Sequence, residues 1–178
     1  MESVIRKAFH YLVIAASVFV YGCASTATVR SIKPIEGDLS QYKNAFVAIT
    51  ASPYVQQNQG GLQVFQSVEA KLKNGMVAKM KASGIFQNVS AEMSSEPTES
   101  DLKIIVTVDQ FIYGTKLEGL TNVLPLAGPR LRVGVELFNA KTGRKLAHFQ
   151  LVATTSDSYA QADAVAEASI AEIVAKAK

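Results

Sequence analysis

Cys23 is the single cysteine among 178 residues, so no disulfide can staple this chain and its core must come from apolar side chains. Histidine is almost as scarce, with two. One of these, His10, sits near the start, so the rest of the chain keeps only His148 and offers neither a metal-binding His pair nor an obvious Ser-His-acid set. Charge of one sign is lacking too: 18 Lys and Arg face 15 Asp and Glu, a net +3 spread along the chain. Basic and aromatic residues are not interleaved, which argues against a nucleic-acid partner. No phosphate-binding glycine loop and no internal repeat appear. The apolar run over residues 8–20 (AFHYLVIAASVFV) falls short of the roughly 20 residues that span a bilayer as a helix.

What is present begins with that run. Arg6 and Lys7 precede it, giving a charged start and a short apolar core, the pattern of an export signal. Val20-Tyr21-Gly22-Cys23 follows at once and resembles the lipobox of bacterial lipoproteins, with an aliphatic residue three before the cysteine and a small one just before it; Tyr21 stands where that pattern usually has a small residue. In an oxidising compartment useful cysteines come in pairs, so a lone one at a signal boundary reads as an acylation site. Ordinary cleavage after Ala24 or Ala27 is the alternative. Each buried methylene contributes about 0.8 kcal/mol, so two or three acyl chains would hold the protein on a bilayer. Ala24 stands where retention at the inner membrane would usually call for Asp, which points to the outer membrane, facing the periplasm. The expected organisation is a signal peptide over 1–22, a lipidated N-terminus and tether over 23–42, part of it able to pair as an edge strand, and one domain over 43–178.

Within that domain, residues 44–50 (NAFVAIT) read as a buried strand. Leu62, Phe65, Val68, Leu72, Met76 and Met80 recur at helical spacing and predict an amphipathic helix ended by Ser83-Gly84, with Gly75 marking a bend or close packing. Residues 85–89 predict a short returning strand. In residues 102–113 the alternation sets Leu102, Ile104, Val106 and Val108 inward, against Lys103, Ile105, Thr107, Asp109 and Phe111 outward. Residues 130–139 place Leu131, Val133, Val135 and Leu137 inward, with Arg130, Arg132, Glu136 and Phe138 outward. A turn at Gly143 leads to a return strand with Ala147, Phe149, Leu151 and Ala153 inward. Ala162, Val165, Ala166, Ile170 and Ile173 then repeat at helical spacing. The predicted fold class is α+β: a two-layer sandwich, with a mixed, mostly antiparallel sheet of about five strands and two helices on one face.

The lipobox, the strand ESDLKIIVTV and above all the hairpin LRVGVELFNAKTGRKLAHF resemble a family of bacterial lipoproteins known as domain of unknown function 4410, with Asn139 where that family usually has Asp. The layout is more distantly similar to the curli-secretion lipoprotein and to lipoprotein activators of penicillin-binding proteins. Those resemblances imply assembly or regulation in the envelope rather than catalysis. Two fragments of a serine acyl-transferase signature occur, Ser40-Gln41-Tyr42-Lys43 and Lys141-Thr142-Gly143, but the nearest S-D-N candidate, Ser156-Asp157-Ser158, follows the second fragment instead of preceding it. Asp109 and Glu136 could face each other as a carboxylate pair, which solvated sheet faces also produce. His148 is placed on the outer face of the sheet.

The outward residues Ile105, Phe111 and Phe138, rimmed by Arg130 and Arg132, have the composition of a contact surface. Residues 114–129 (GTKLEGLTNVLPLAGP), with Leu120 and Leu124 among several aliphatics, either fold over that face or meet a partner, another copy or the membrane. The reading is therefore a non-enzymatic lipoprotein of the cell envelope, without a cofactor. It would be attached to the membrane through lipid on Cys23 and act by contact with an envelope protein or by self-association. The alternative is a carrier sheltering a small amphiphile under 114–129.

Overall fold

The computed structural model describes residues 26–93, 96–112, 130–154 and 158–177. In chain order these form β1 (Thr26–Lys33), a 3-10 turn (Leu39–Gln41), β2 (Asn44–Ala51), α1 (Pro53–Gln57) and α2 (Gln59–Ser83). There follow β3 (Asn88–Ser90), β4 (Asp101–Ile112), β5 (Arg130–Asn139), β6 (Lys145–Thr154) and α3 (Ser158–Ala177). The strands make one mixed six-stranded sheet in the order β1-β6-β5-β4-β2-β3. Parallel pairing joins β2 to β3 and β4, and the other neighbours are antiparallel. The α+β architecture is as predicted, with one strand more than the count of about five. That strand is β1, drawn from the segment assigned to the tether; its Ala27 and Val29 face the core opposite Ala153 and Leu151 of β6.

One face of the sheet is covered by α2 and α3. Phe65, Val68, Leu72, Met76 and Met80 of α2 are buried, and all but Val68 share one core with Ala45 and Val47 of β2 and Ile104 and Val106 of β4. α2 starts at Gln59, a turn before the predicted Leu62, because Asn58 caps it by accepting from the Gly61 amide at 2.9 Å. It ends where Gly84 takes a left-handed φ of 67°. Gly75 marks close packing: a β-carbon there would stand 3.5 Å from Ala166 Cβ of α3. Small residues on α3 allow that approach, with Ala162, Val165, Ala166 and Ser169 fully buried. The β5–β6 hairpin turns at Gly143 with φ 68°. Asn139 Oδ1 organises this turn by accepting from the backbone amides of Lys141 and Thr142 at 3.1 and 2.9 Å.

The short α1 is absent from the sequence reading. Pro53 at its first position and Ser52 before it form a start signal. Ser52 does more than cap: its amide donates to the Val108 carbonyl at 2.9 Å and its hydroxyl to the Asp109 carbonyl at 2.9 Å. Asp109 is where the β4–β5 register shifts, Val108 lying opposite Val133 and Gln110 opposite Arg132. One extra residue in β4 is thus accommodated as a bulge, and its carbonyl finds its partner on Ser52.

Candidate functional site

The β4 bulge changes which side chains reach the outer face, the one away from α2 and α3. Before it, Ile105 and Thr107 point outward, as expected from the alternation. Beyond it the phase reverses, and Phe111 lies opposite Leu131 and packs against the core. Phe111 therefore leaves the proposed contact surface. A residue inserted into one strand of a pair inverts the facing of everything after it.

The remaining outward residues form a ladder across β4, β5 and β6. Gly134 lies at its centre, buried although outward-facing. A β-carbon there would stand 3.5 Å from Asp109 Oδ2 and 3.6 Å from His148 Nε2. The two side chains thus lean over the glycine from both neighbouring strands, into space that any larger residue would claim. Glu136 lies opposite Ile105 on one side and His148 on the other, so it does not face Asp109 as the carboxylate pair envisaged. Its Oε1 accepts a hydrogen bond from Lys145 Nζ and lies 3.9 Å from His148 Nδ1. Lys33 of β1 extends the ladder, donating to the Lys145 carbonyl at 2.8 Å.

Electrostatics at the bulge follow from this crowding. Burial pushes the Asp109 carboxyl above the ordinary carboxylate range; Arg132 and His148 pull it back, and Glu136 adds to the rise. Phe138 lies between Lys103 and Lys145 in register, with Lys145 Nζ 5.5 Å from its ring centroid. Arg132 is exposed. Arg130, in the same phase, is half-buried and its Nε has no hydrogen-bond partner among the described residues.

Chemically, this ladder pairs charges across strands. The position between Asp109 and His148 is a glycine, which carries no nucleophile. Thr107, opposite Gly134, has its hydroxyl 3.2 Å from that of Thr50. Among the described residues no three His, Cys, Asp or Glu side chains cluster as a metal ion would need. The acyl-transferase fragments also receive structural roles. The Ser40 hydroxyl donates to Asp38 Oδ2 at 2.6 Å on an exposed turn, and Lys141 lies 3.4 Å from Glu99.

Of the residues singled out by sequence, the structure thus brings Ile105, Arg130, Arg132 and Phe138 to one face and places Phe111 on the other. Cys23, Leu120 and Leu124 lie outside the described residues. Sequence reading missed the packing of Asp109 and His148 over Gly134, whose only written sign is a glycine in the middle of an alternating strand. A separate groove of about 540 Å³ opens at the β3 edge, lined by Asn44, Phe46, Lys81, Phe86 and Val89 among others. It is separated from the ladder on β5 by β4 and β2.

No protein-family model matches the chain, and no curated protein matches it. The fold itself is found among solved structures. PelC from Paraburkholderia phytofirmans, solved as a dodecamer, superposes with a TM-score of 0.52 at 14% identity, covering 86% of this chain and 99% of that one. A point variant of the same PelC, also a dodecamer, gives a TM-score of 0.48 at 16% identity, covering 83% and 97%. The similarity to PelC is one of fold.

Proposed function

We propose that this protein is a lipid-anchored, periplasm-facing lipoprotein of the cell envelope, of the family suggested by its hairpin, that works by contact rather than by catalysis, self-association included. The observation that carries this reading is the outer face of the sheet. Its acid, base and imidazole groups are matched to one another across β4, β5 and β6 around a glycine, next to the exposed Arg132 and the half-buried Arg130. Arginine beside a partly apolar strand surface is the chemistry of a docking site. Self-association draws support from the shared fold with PelC, which assembles as a dodecamer. The export signal and the VYGC boundary supply the address.

The test has two arms. Metabolic labelling with a clickable fatty acid should mark the wild type and leave Cys23→Ser unlabelled. Chemical crosslinking of intact envelopes should give a discrete higher-mass species with the wild type, lost in Arg132→Glu at equal protein level. A monomer in both, or a label retained by Cys23→Ser, would overturn the corresponding half of the reading.

A further inference from the structure

The pairing of the strands places four positions in one transverse row at one end of the sheet. Thr26 lies opposite Thr154, Thr154 opposite Arg130, and Arg130 opposite Ile112. Thr26 is three residues from Cys23. At about 3.3 Å per residue that separation spans only about 10 Å, against the several nanometres of reach that a tether through residue 42 would allow. If Cys23 carries the lipid, this end of the sheet has nowhere to be but at the bilayer surface.

Independent features of the same end agree. Two of the four large hydrophobic side chains exposed among the described residues, Tyr54 and Tyr159 at 58 and 50%, sit near it, whereas Ile32, at 52%, lies far along β1. Tyr54 is on α1, which Ser52 ties to Val108 and Asp109 on the half of β4 that ends at Ile112. Tyr159 is the second residue of α3, shortly after β6 ends at Thr154. Tyrosine, with an apolar ring and a polar tip, is enriched at the level of lipid headgroups. The row also contains Arg130, half-buried, whose residue type matches phosphate with a planar guanidinium.

We infer that the end of the sheet marked by Thr26, Thr154, Arg130 and Ile112, flanked by Tyr54 and Tyr159, is the surface that lies against the bilayer, with the β5–β6 turn at Gly143 pointing away from it. This inference rests on lipidation at Cys23 and adds to it an orientation.

The chain has no tryptophan, so a single introduced one reports alone. Full-length lipidated Tyr54→Trp, Tyr159→Trp and Ile32→Trp are each reconstituted in phospholipid vesicles with and without bromine on the acyl chains near the headgroup. Ile32 serves as the distant control, since Lys33 beside it pairs with His148, well along β6 from Thr154. The two tyrosine variants should lose most of their emission to the brominated lipid, while Ile32→Trp keeps its own. Mass spectrometry of the N-terminal peptide is run on the same samples. Acylated, vesicle-bound protein in which Ile32→Trp is quenched as strongly as the others, or in which none is quenched, overturns the orientation and leaves the anchor standing. An unacylated Cys23 removes the anchor and the orientation together.

Discussion

On β5, Leu131, Val133, Val135 and Leu137 are sealed beneath the helices, while one residue out of step Arg132, Glu136 and Phe138 stand on the other face among charges that neutralise one another. The same backbone thus carries two surfaces with different sensitivities. The inner one is stabilised by area removed from water and by close packing, and it suffers from any lost volume. The outer one holds ion pairs in partial contact with solvent, which contribute little individually. The lesson is that core packing and surface charge pairing are carried by alternate residues, and that substitutions can therefore separate them.

The most severe test of that division is Leu137→Ala, which opens a cavity in the core. It should cost about 2–5 kcal/mol in chemical denaturation, whereas Glu136→Ala beside it should change stability by less than about 1 kcal/mol. Equal losses from the two would show that the outer ladder is structural. Asp101 is the one charged residue among the buried polar groups of the described residues, being 2% exposed. Its carboxylate accepts from Asn44 Nδ2 at 2.6 Å and from the Thr98 amide at 2.7 Å. Burial alone would raise its pKa, but these donors hold it below its ordinary value of 3.8. The stabilisation from the ionised group is therefore present above that value and is lost as pH falls through the folded-state value. Asp101→Asn should cost about 1–3 kcal/mol at neutral pH, a deficit that narrows in acid when both proteins are melted across pH.

Ser52→Ala removes an N-cap and the hydroxyl that satisfies the bulge carbonyl, and should lower stability by about 1 kcal/mol. Amide exchange at Gln110 and Phe111 should accelerate along with it; unchanged exchange there would mean the bulge holds itself. The smallest effect runs the other way. Asp109 has a raised pKa, so the folded state binds its proton more tightly than the unfolded chain, and the ionised form lowers stability above the ordinary carboxylate range. Asp109→Asn should slightly raise the melting temperature at pH 7, and that advantage should vanish as pH falls below the unfolded value of 3.8. A variant less stable than wild type at pH 7 would show that pairing with Arg132 and His148 outweighs burial.

The inner surface was legible because burial repeats with the period of the element. Alternate aliphatics on β4, β5 and β6, and spacings of three and four on α2, name the core almost residue by residue. Phe111 was misplaced for the same reason: a period carries no sign of an inserted residue, and the bulge at Asp109 is fixed by Ser52, far away in sequence. β1, allowed as an edge strand within the tether, was left without bounds by its composition. An edge strand with Thr28, Arg30 and Lys33 on its outer side needs few large aliphatics, and Ala27 and Val29 alone make a weak alternation. The packing over Gly134 depends on side chains from two other strands, a relation that no local pattern records. Asn139 is a milder case. An Asp there could accept the same two turn amides, but Nδ2 of Asn139 also lies 3.4 Å from the Glu99 carbonyl and 3.3 Å from its carboxylate. A second carboxylate would meet both as an acceptor facing acceptors, so an amide suits this position better than an acid.

The place of β1 also has a consequence in time. It is the first strand of the described chain to be synthesised, yet its partner in the sheet is β6, the last. Every other strand has a neighbour that is closer in sequence, so β2 through β6 can assemble while β1 waits. Contacts of such long separation form late and slow the completion of folding. During that interval β1 is an unpaired strand and β6 an unguarded edge, each a template for pairing with another chain. Arg30 and Lys33 on the first, and His148 and Lys145 on the second, put polar and basic side chains along both waiting strands, and like charges brought side by side discourage two copies of either from joining before the proper partners meet.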